Sequence, residues 1–356
     1  MSKFLTSKLN SLAPYTPGEQ PKERKFVKLN TNESPFPPSK KAIELAAKEA
    51  ERLMLYSDPE CRDLVNKMAE TYGVSQSEVI MTNGSDEVLN FAFMAYCDDN
   101  SPAVFADITY GFYKVFAEIN RVPAKIIPLK DDFTIDIEDY IKEDGTVFIA
   151  NPNAPTGILL PLSDIERLVK SNPDRIVVID EAYIDFGGES AISLTRKYNN
   201  LLVTGTFSKS RSMAGARLGF GIANADIIND LTRIRYSTNP YNVNKMTMAA
   251  GIGALEDDEY FKANCKKIIE NREWTERELS SLGFTYLPSM ANFIFAKSDK
   301  IDGETLYLSL KEKGVLVRHF TAPRIADFNR ITIGSREEMQ TLIDKIKEII
   351  AENEKC

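Results

Sequence analysis

Two short stretches carry side chains that could act together. Ile176–Tyr183 (IVVIDEAY) is an apolar run that ends in two carboxylates, Asp180 and Glu181, and then Tyr183. Such a run reads as a strand buried on both faces, and open α/β sheets bind their ligands beyond the carboxyl ends of strands. Thr206–Arg211 (TFSKSR) follows another apolar run and sets Lys209 among hydroxyls and arginines, with Arg217 in the same loop region. A strand-end carboxylate could serve the magnesium site of a nucleotide hydrolase, but that needs a G-x-x-x-x-G-K-[ST] loop, which the chain lacks. Gly215, Gly219 and Gly221 do not have the G-x-G-x-x-G spacing of a dinucleotide fold.

The same carboxylate can instead hold a protonated heterocyclic nitrogen, which needs a fixed negative partner in a low-dielectric site. Asp180 suits the pyridinium nitrogen of pyridoxal 5′-phosphate. Cationic neighbours and partial desolvation favour the neutral amine that forms a Schiff base, which suits Lys209 to the aldehyde. Ser208 and Arg217 could grip the phosphate. A third phosphate contact is available at Asn83–Glu87, where a strand gives way to an apolar-periodic helix with exposed N–H groups. Gly84 lets an anion approach there, beside Ser85 and Asp86. Tyr110 opens a helix and could cover the cofactor's face. Singly, each has an ordinary reading: Ser85–Glu87 a helix cap, Lys209 a solvated lysine, Tyr110 core. Their convergence at the carboxyl ends of candidate parallel strands favours a site.

The elements that must position these groups alternate between β-rich runs and helical patterns from about Val79 to Ile222. Candidate strands are Val79–Thr82, Ala103–Ala106, Lys125–Leu129, Val147–Ala150, Ile176–Asp180, Leu201–Thr206 and Leu218–Ala223. That alternation predicts an α/β fold with a mostly parallel central sheet flanked by helices. After Asn244 come helical stretches at Lys245–Leu255 and Glu259–Leu282, strands at Asn292–Ala296, Val315–Arg318 and Arg330–Ile333, and a helix from Glu337. We read residues 1–32 as a proline-rich arm on the small domain, 33–244 as a large cofactor-binding domain and 245–356 as a smaller α+β domain.

Composition narrows the classes. A chain of 356 residues with 43% hydrophobic residues can bury a large core. A net charge of −8 gives no general electrostatic support for binding nucleic acid. No apolar run approaches the roughly 20 residues of a membrane-spanning helix, and the start lacks a secretory layout, so a cytoplasmic protein with no membrane partner is expected. Cys61, Cys97, Cys265 and Cys356 are scattered and accompany one histidine, His319, so neither a zinc site nor a disulfide framework is expected.

The chain resembles fold-type I aminotransferases and, among them, histidinol-phosphate aminotransferases. The resemblance runs from Leu29–Glu33 to Arg330–Gly334 through TNGSDE (82–87), ITYGFY (108–113), NPNAPTG (151–157), VIDEAY (178–183), TFSK (206–209) and AGARLGFG (214–221). It implies that Lys209 forms the Schiff base with pyridoxal phosphate, Asp180 pairs with the pyridine nitrogen, Tyr183 bonds the phenolic oxygen and Tyr110 lies over the ring. Ser85, Asp86, Ser208 and Arg217 would surround the phosphate, with Gly84 and Thr206 also among the cofactor-binding residues. Tyr56 would reach the phosphate in the neighbouring subunit, which implies a homodimer with shared sites. Many relatives have asparagine before Pro-Thr-Gly where this chain has Ala154, so Asn153 or Asn151 is expected to replace that contact.

Arg318 and Arg330 could bind a carboxylate or a phosphate in bidentate fashion. The resemblance assigns them, with Tyr15 and Asn32, to histidinol phosphate and to 2-oxoglutarate or glutamate. Aromatic amino-acid aminotransferases and threonine-phosphate decarboxylases are rivals, although no H-G-G opening of the decarboxylase type is present. A non-catalytic cofactor-binding regulator is an alternative of another class. Such proteins append a DNA-binding module, for which the sequence offers little room before the fold starts.

Overall fold

Six of the seven short runs that form the large sheet are buried along almost their whole length, with apolar side chains on both faces and no solvated side, whereas Ala124–Ile127 at the sheet edge is largely exposed. Within Thr146–Ala150, Val147 and Ile149 enter one core while Phe148 and Ala150 enter another on the opposite face. That is the period-two alternation of a strand packed on both sides.

The computed structural model describes residues 3–9, 12–21 and 24–353, so Cys356 lies outside the described residues. The first half holds β1 (Val27–Lys28), α1 (Lys40–Ala50), α2 (Arg62–Tyr72), β2 (Val79–Thr82), α3 (Ser85–Tyr96), β3 (Ala103–Ala106) and α4 (Phe112–Asn120). There follow β4 (Ala124–Ile127), α5 (Ile137–Ile141), β5 (Thr146–Ala150), α6 (Leu162–Ser171), β6 (Val177–Asp180), β7 (Leu201–Thr206), β8 (Gly219–Ala223) and α7 (Ala225–Thr238). The remainder is α8 (Lys245–Glu256), α9 (Asp258–Ser281), β9 (Phe284–Tyr286), β10 (Phe293–Ser298), α10 (Gly303–Glu312), β11 (Val315–Leu316), β12 (Arg318–His319), β13 (Asn329–Thr332) and α11 (Arg336–Asn353).

The large sheet has the order β2-β8-β7-β6-β5-β3-β4. It is parallel except for β8, which runs antiparallel to both neighbours. A second, antiparallel sheet of order β12-β13-β10-β9 is covered by α11, whose Met339, Leu342, Ile343, Ile346, Ile349 and Ile350 bury one helical stripe.

Two expectations change, and α8, in the part read as the small domain, packs against the large sheet. Ala250, Ala254 and Leu255 of α8 lie in the core of the large sheet, and a Cβ at Gly253 would meet the Ala42 backbone at 2.7 Å, so α8 packs closely on α1. The strand expected at Val315–Arg318 splits in two, since β11 pairs with β1 of the arm and β12 pairs with β13. Finally, β1 and β9 answer to no expected strand; both are too short to show a period. Among the described residues no helix is long and apolar enough to cross a membrane.

Candidate active site

The carboxyl ends of β6 and β7 and the start of α3 open into one cavity of about 390 Å³. Ser85, Asp86, Tyr110, Asp180, Tyr183, Thr206, Ser208, Lys209 and Arg217 all line it.

Asp180 is the last residue of β6, in register with Thr204 of β7. It is buried, and its Oδ2 accepts from the Tyr113 hydroxyl at 3.2 Å. Its Oδ1 accepts from Ala182 N–H at 3.3 Å and more distantly from Thr204 Oγ1 at 3.4 Å. Burial, and then the Asp86 charge, push this carboxyl up to about 7. A cation over Asp180 would favour its charged form, so the site suits a protonated ring nitrogen.

Lys209 sits on a loop fastened on both sides. Before it, Phe207 N–H donates to Leu218 O at 2.9 Å and Ser208 N–H to Thr206 Oγ1 at 3.1 Å. After it, Ser210 Oγ donates to Asp185 at 2.5 Å, and Arg211 donates to Ala254 O at 2.8 Å. With the backbone held, Lys209 Nζ reaches Thr31 O at 3.3 Å and lies 5.7 Å from the Tyr183 ring centroid.

The anion end is made at α3, whose first turn has no side-chain cap. Gly84 has φ +77°, a left-handed conformation, and a Cβ there would lie 2.5 Å from Arg217 Nη2. The glycine thus lets backbone N–H groups and the guanidinium share one space. Arg217 donates to Asp86 Oδ2 at 3.0 Å and to Ser208 Oγ at 3.4 Å, and Tyr110 OH donates to Asp86 Oδ1 at 2.6 Å. The Asp86 carboxylate would repel an anion, so it organises Arg217 and Tyr110, while its N–H is the group suited to phosphate. Burial and the adjacent Asp86 hold the Tyr110 phenol well above its usual range, so it remains a donor.

Tyr183 OH accepts from Asn32 Nδ2 at 2.9 Å. Asn32 is itself fixed by Thr332, which donates to its Oδ1 at 3.0 Å and accepts from its N–H at 2.9 Å. Its amide therefore orients Tyr183.

Asn153 and Asn151, expected to replace the contact missing at Ala154, are bonded to other groups of the protein. The Asn153 amide is committed to Ile108 O, Thr109 and Thr156, and the Asn151 amide to both backbone groups of Leu160. Ala154 lines the cavity that holds Lys209 and Asp180, whereas the two asparagines do not. Tyr56 also lies outside its own chain's cavity; it is 79% exposed and stacks on Tyr241.

Arg318 and Arg330 stand directly opposite each other across β12 and β13. Among the described residues neither has a carboxylate within ion-pair distance. Arg318 donates to Thr16 O and Pro17 O of the arm, and Arg330 to Asn30 O, while Arg330 Nε is buried without a partner. Tyr15 stacks on Phe112 with centroids 4.4 Å apart, bringing the arm over the start of α4.

Sequence reasoning missed Gln20, Thr31 and Glu33, which line the cavity, and Tyr113 and Thr204 beneath Asp180. Tyr113 is three positions after Tyr110 at a helix start, a spacing that puts both on one face. That was the available signal.

A model of the class I and II aminotransferases matches residues 24–346. The chain belongs to this family. It is 50% identical to a histidinol-phosphate aminotransferase of Brachyspira hyodysenteriae, over 98% of this chain and 99% of that one. It is also 50% identical to a histidinol-phosphate aminotransferase of Marinomonas, with the same coverage. In fold it is similar to a histidinol-phosphate aminotransferase of Sinorhizobium meliloti solved with pyridoxal-5′-phosphate, at 23% identity, a TM-score of 0.89 and 99% of each chain. This aminotransferase uses pyridoxal 5′-phosphate, and the residues present fit that group. Asp180 offers a buried carboxylate to a ring cation, Lys209 an amine to an aldehyde, and the Gly84–Arg217 cradle its donors to a phosphate.

Proposed function

We propose that this aminotransferase moves the amino group of L-histidinol phosphate to 2-oxoglutarate, giving imidazole acetol phosphate and L-glutamate. The observation that carries the reading is Lys209 and Asp180 facing one cavity whose anion cradle is already assembled, in a chain 50% identical over its length to histidinol-phosphate aminotransferases.

When bound, the cofactor supplies an aldehyde for amines and a pyridinium ring that draws electrons from the carbon losing its proton. Asp180 keeps that ring protonated. Ser85, Ser208, Arg217, Thr206 and the first N–H groups of α3 hold the phosphate, with Asp86 bracing Arg217. Tyr110 would cover the ring, and Tyr183, oriented by Asn32, would donate to the phenolic oxygen. Lys209 holds the cofactor at rest. Its Nζ, when free, would be the base that takes the proton from the substrate Cα and delivers it to the carbon that was the cofactor's aldehyde.

Arg318 and Arg330 receive the substrate's distal anion, the phosphate of one substrate or the carboxylate of the other, with Tyr15 closing from the arm. Support comes from two guanidiniums set opposite each other with no acidic partner, an arrangement that an anion relieves.

The protein works as a homodimer in the cytoplasm. Leu53, Met54, Leu55 and Tyr56 form an exposed apolar run, and Tyr56 supplies its hydroxyl to the partner's cofactor phosphate. The test is glutamate formation from 2-oxoglutarate with histidinol phosphate, phenylalanine, tyrosine or threonine phosphate as donor, comparing kcat/KM. Histidinol phosphate should lead by a wide margin; an aromatic amino acid in first place would overturn the substrate and leave the cofactor site standing.

A further inference from the structure

Tyr113 is a fully buried polar side chain that the mechanism above leaves without a role. Its ring stands edge-on to Tyr110, at 5.6 Å between centroids and 89° between planes, and edge-on to Phe105 at 5.8 Å. Apolar packing explains the ring and not the hydroxyl, which sits 3.2 Å from Asp180 Oδ2. The other donors to Asp180, Ala182 N–H and Thr204 Oγ1, reach Oδ1. Tyr113 is therefore the one donor to Oδ2 among the described residues. Burial works against charge on Asp180, and a donor to the charged form works the other way. Burial and Asp180 together keep the phenol well above its usual range, so the hydrogen stays on Tyr113.

We propose that Tyr113 is a positioning residue that keeps Asp180 ionised and aimed at the cofactor's ring nitrogen, setting cofactor affinity without touching the cofactor. The proposal rests on the pyridoxal phosphate reading. It extends the site by one layer, from the strand end that carries the carboxylate to the helix that carries Tyr110.

Tyr113→Phe keeps the ring and its packing and removes only the hydroxyl. The dissociation constant of pyridoxal phosphate would be measured by equilibrium dialysis with the apoenzyme of the wild type, Tyr113→Phe, Asp180→Asn and the double variant. The series would be repeated with the carbocyclic analogue, in which C–H replaces the ring nitrogen. A hydrogen bond to a charged group predicts about tenfold weaker binding in Tyr113→Phe. No further loss is expected in the Asp180→Asn background or with the analogue. Equal losses in both backgrounds and with both compounds would assign Tyr113 to packing and overturn the proposal, as would unchanged affinity. A wild type that bound no pyridoxal phosphate would overturn the cofactor reading and this proposal with it.

Discussion

Around the cavity Asp86, Arg217, Tyr110, Ser208 and Thr206 already bond to one another, whereas Arg318 and Arg330, which do not line it and are proposed to receive the substrate, stand opposite each other with no carboxylate within ion-pair distance among the described residues. The first group stands on the rigid edge of a seven-stranded sheet. The second stands on a small antiparallel sheet and is held by backbone carbonyls of the arm. The contrast follows from what each end meets. A resident cofactor favours a preorganised shell, because ordering is then complete before binding. A substrate that comes and goes favours cations whose repulsion is relieved only while an anion is present.

Five substitutions at four positions can break or sharpen this contrast. The largest effect is expected from Lys209→Ala, which removes both the covalent hold and the proton carrier. Turnover should fall by more than about 10⁴-fold, and the absorbance of the lysine-linked cofactor should vanish; survival of both would end the assignment.

Arg330→Ala should act at the other end alone. Loss of a buried partner to an anion costs about 2–5 kcal/mol, so kcat/KM for histidinol phosphate should drop roughly 30- to 4,000-fold with cofactor affinity unchanged. Arg330→Lys should recover only part, because a point charge does not reproduce a bidentate fork. An equal loss of cofactor affinity would show that the two ends are not separable.

Gly84→Ala puts a methyl group against Arg217 in a left-handed backbone. A strain of about 1–3 kcal/mol predicts roughly 5- to 150-fold weaker cofactor binding by dialysis, with little change in KM for substrate at saturating cofactor. Unchanged affinity would mean that the anion sits elsewhere.

The smallest effect concerns pH. Glu181 is buried, accepts from Ser190 and Ala191, and burial pushes its carboxyl up to about 8. Its folded value lies above its unfolded one, so the contribution to stability is full below the ordinary carboxylate range and is lost as pH rises through about 8. The apoenzyme's Tm should therefore fall between about pH 5 and 8 and level off above that, and Glu181→Gln should flatten that slope by a few degrees. A slope unaltered in the variant would place the titration on another group.

Asp180, Lys209, Ser208, Arg217 and Ser85 were legible because each closes or follows an apolar run or helix start, where local pattern alone puts a side chain at the sheet's ligand edge. Asn153 was not legible. Whether an amide in the 151–157 loop faces the cavity depends on the Ile108 carbonyl, the Thr109 hydroxyl and the Leu160 backbone that come to it from elsewhere in the chain. The packing of α8 was not legible for a related reason: helical periodicity says that it has a face to bury, but not which core receives it.

Residue order along the chain thus determined the alternating strands and helices, the strand ends and the identity of the groups standing on them, since all depend on neighbours within a few positions. Tertiary structure alone decided that Tyr113 and Thr204 meet Asp180, that Arg318 lies opposite Arg330, and that Asn32 orients Tyr183. These pairs are up to 151 residues apart, and strand register or arm docking, rather than any local preference, closes the distance.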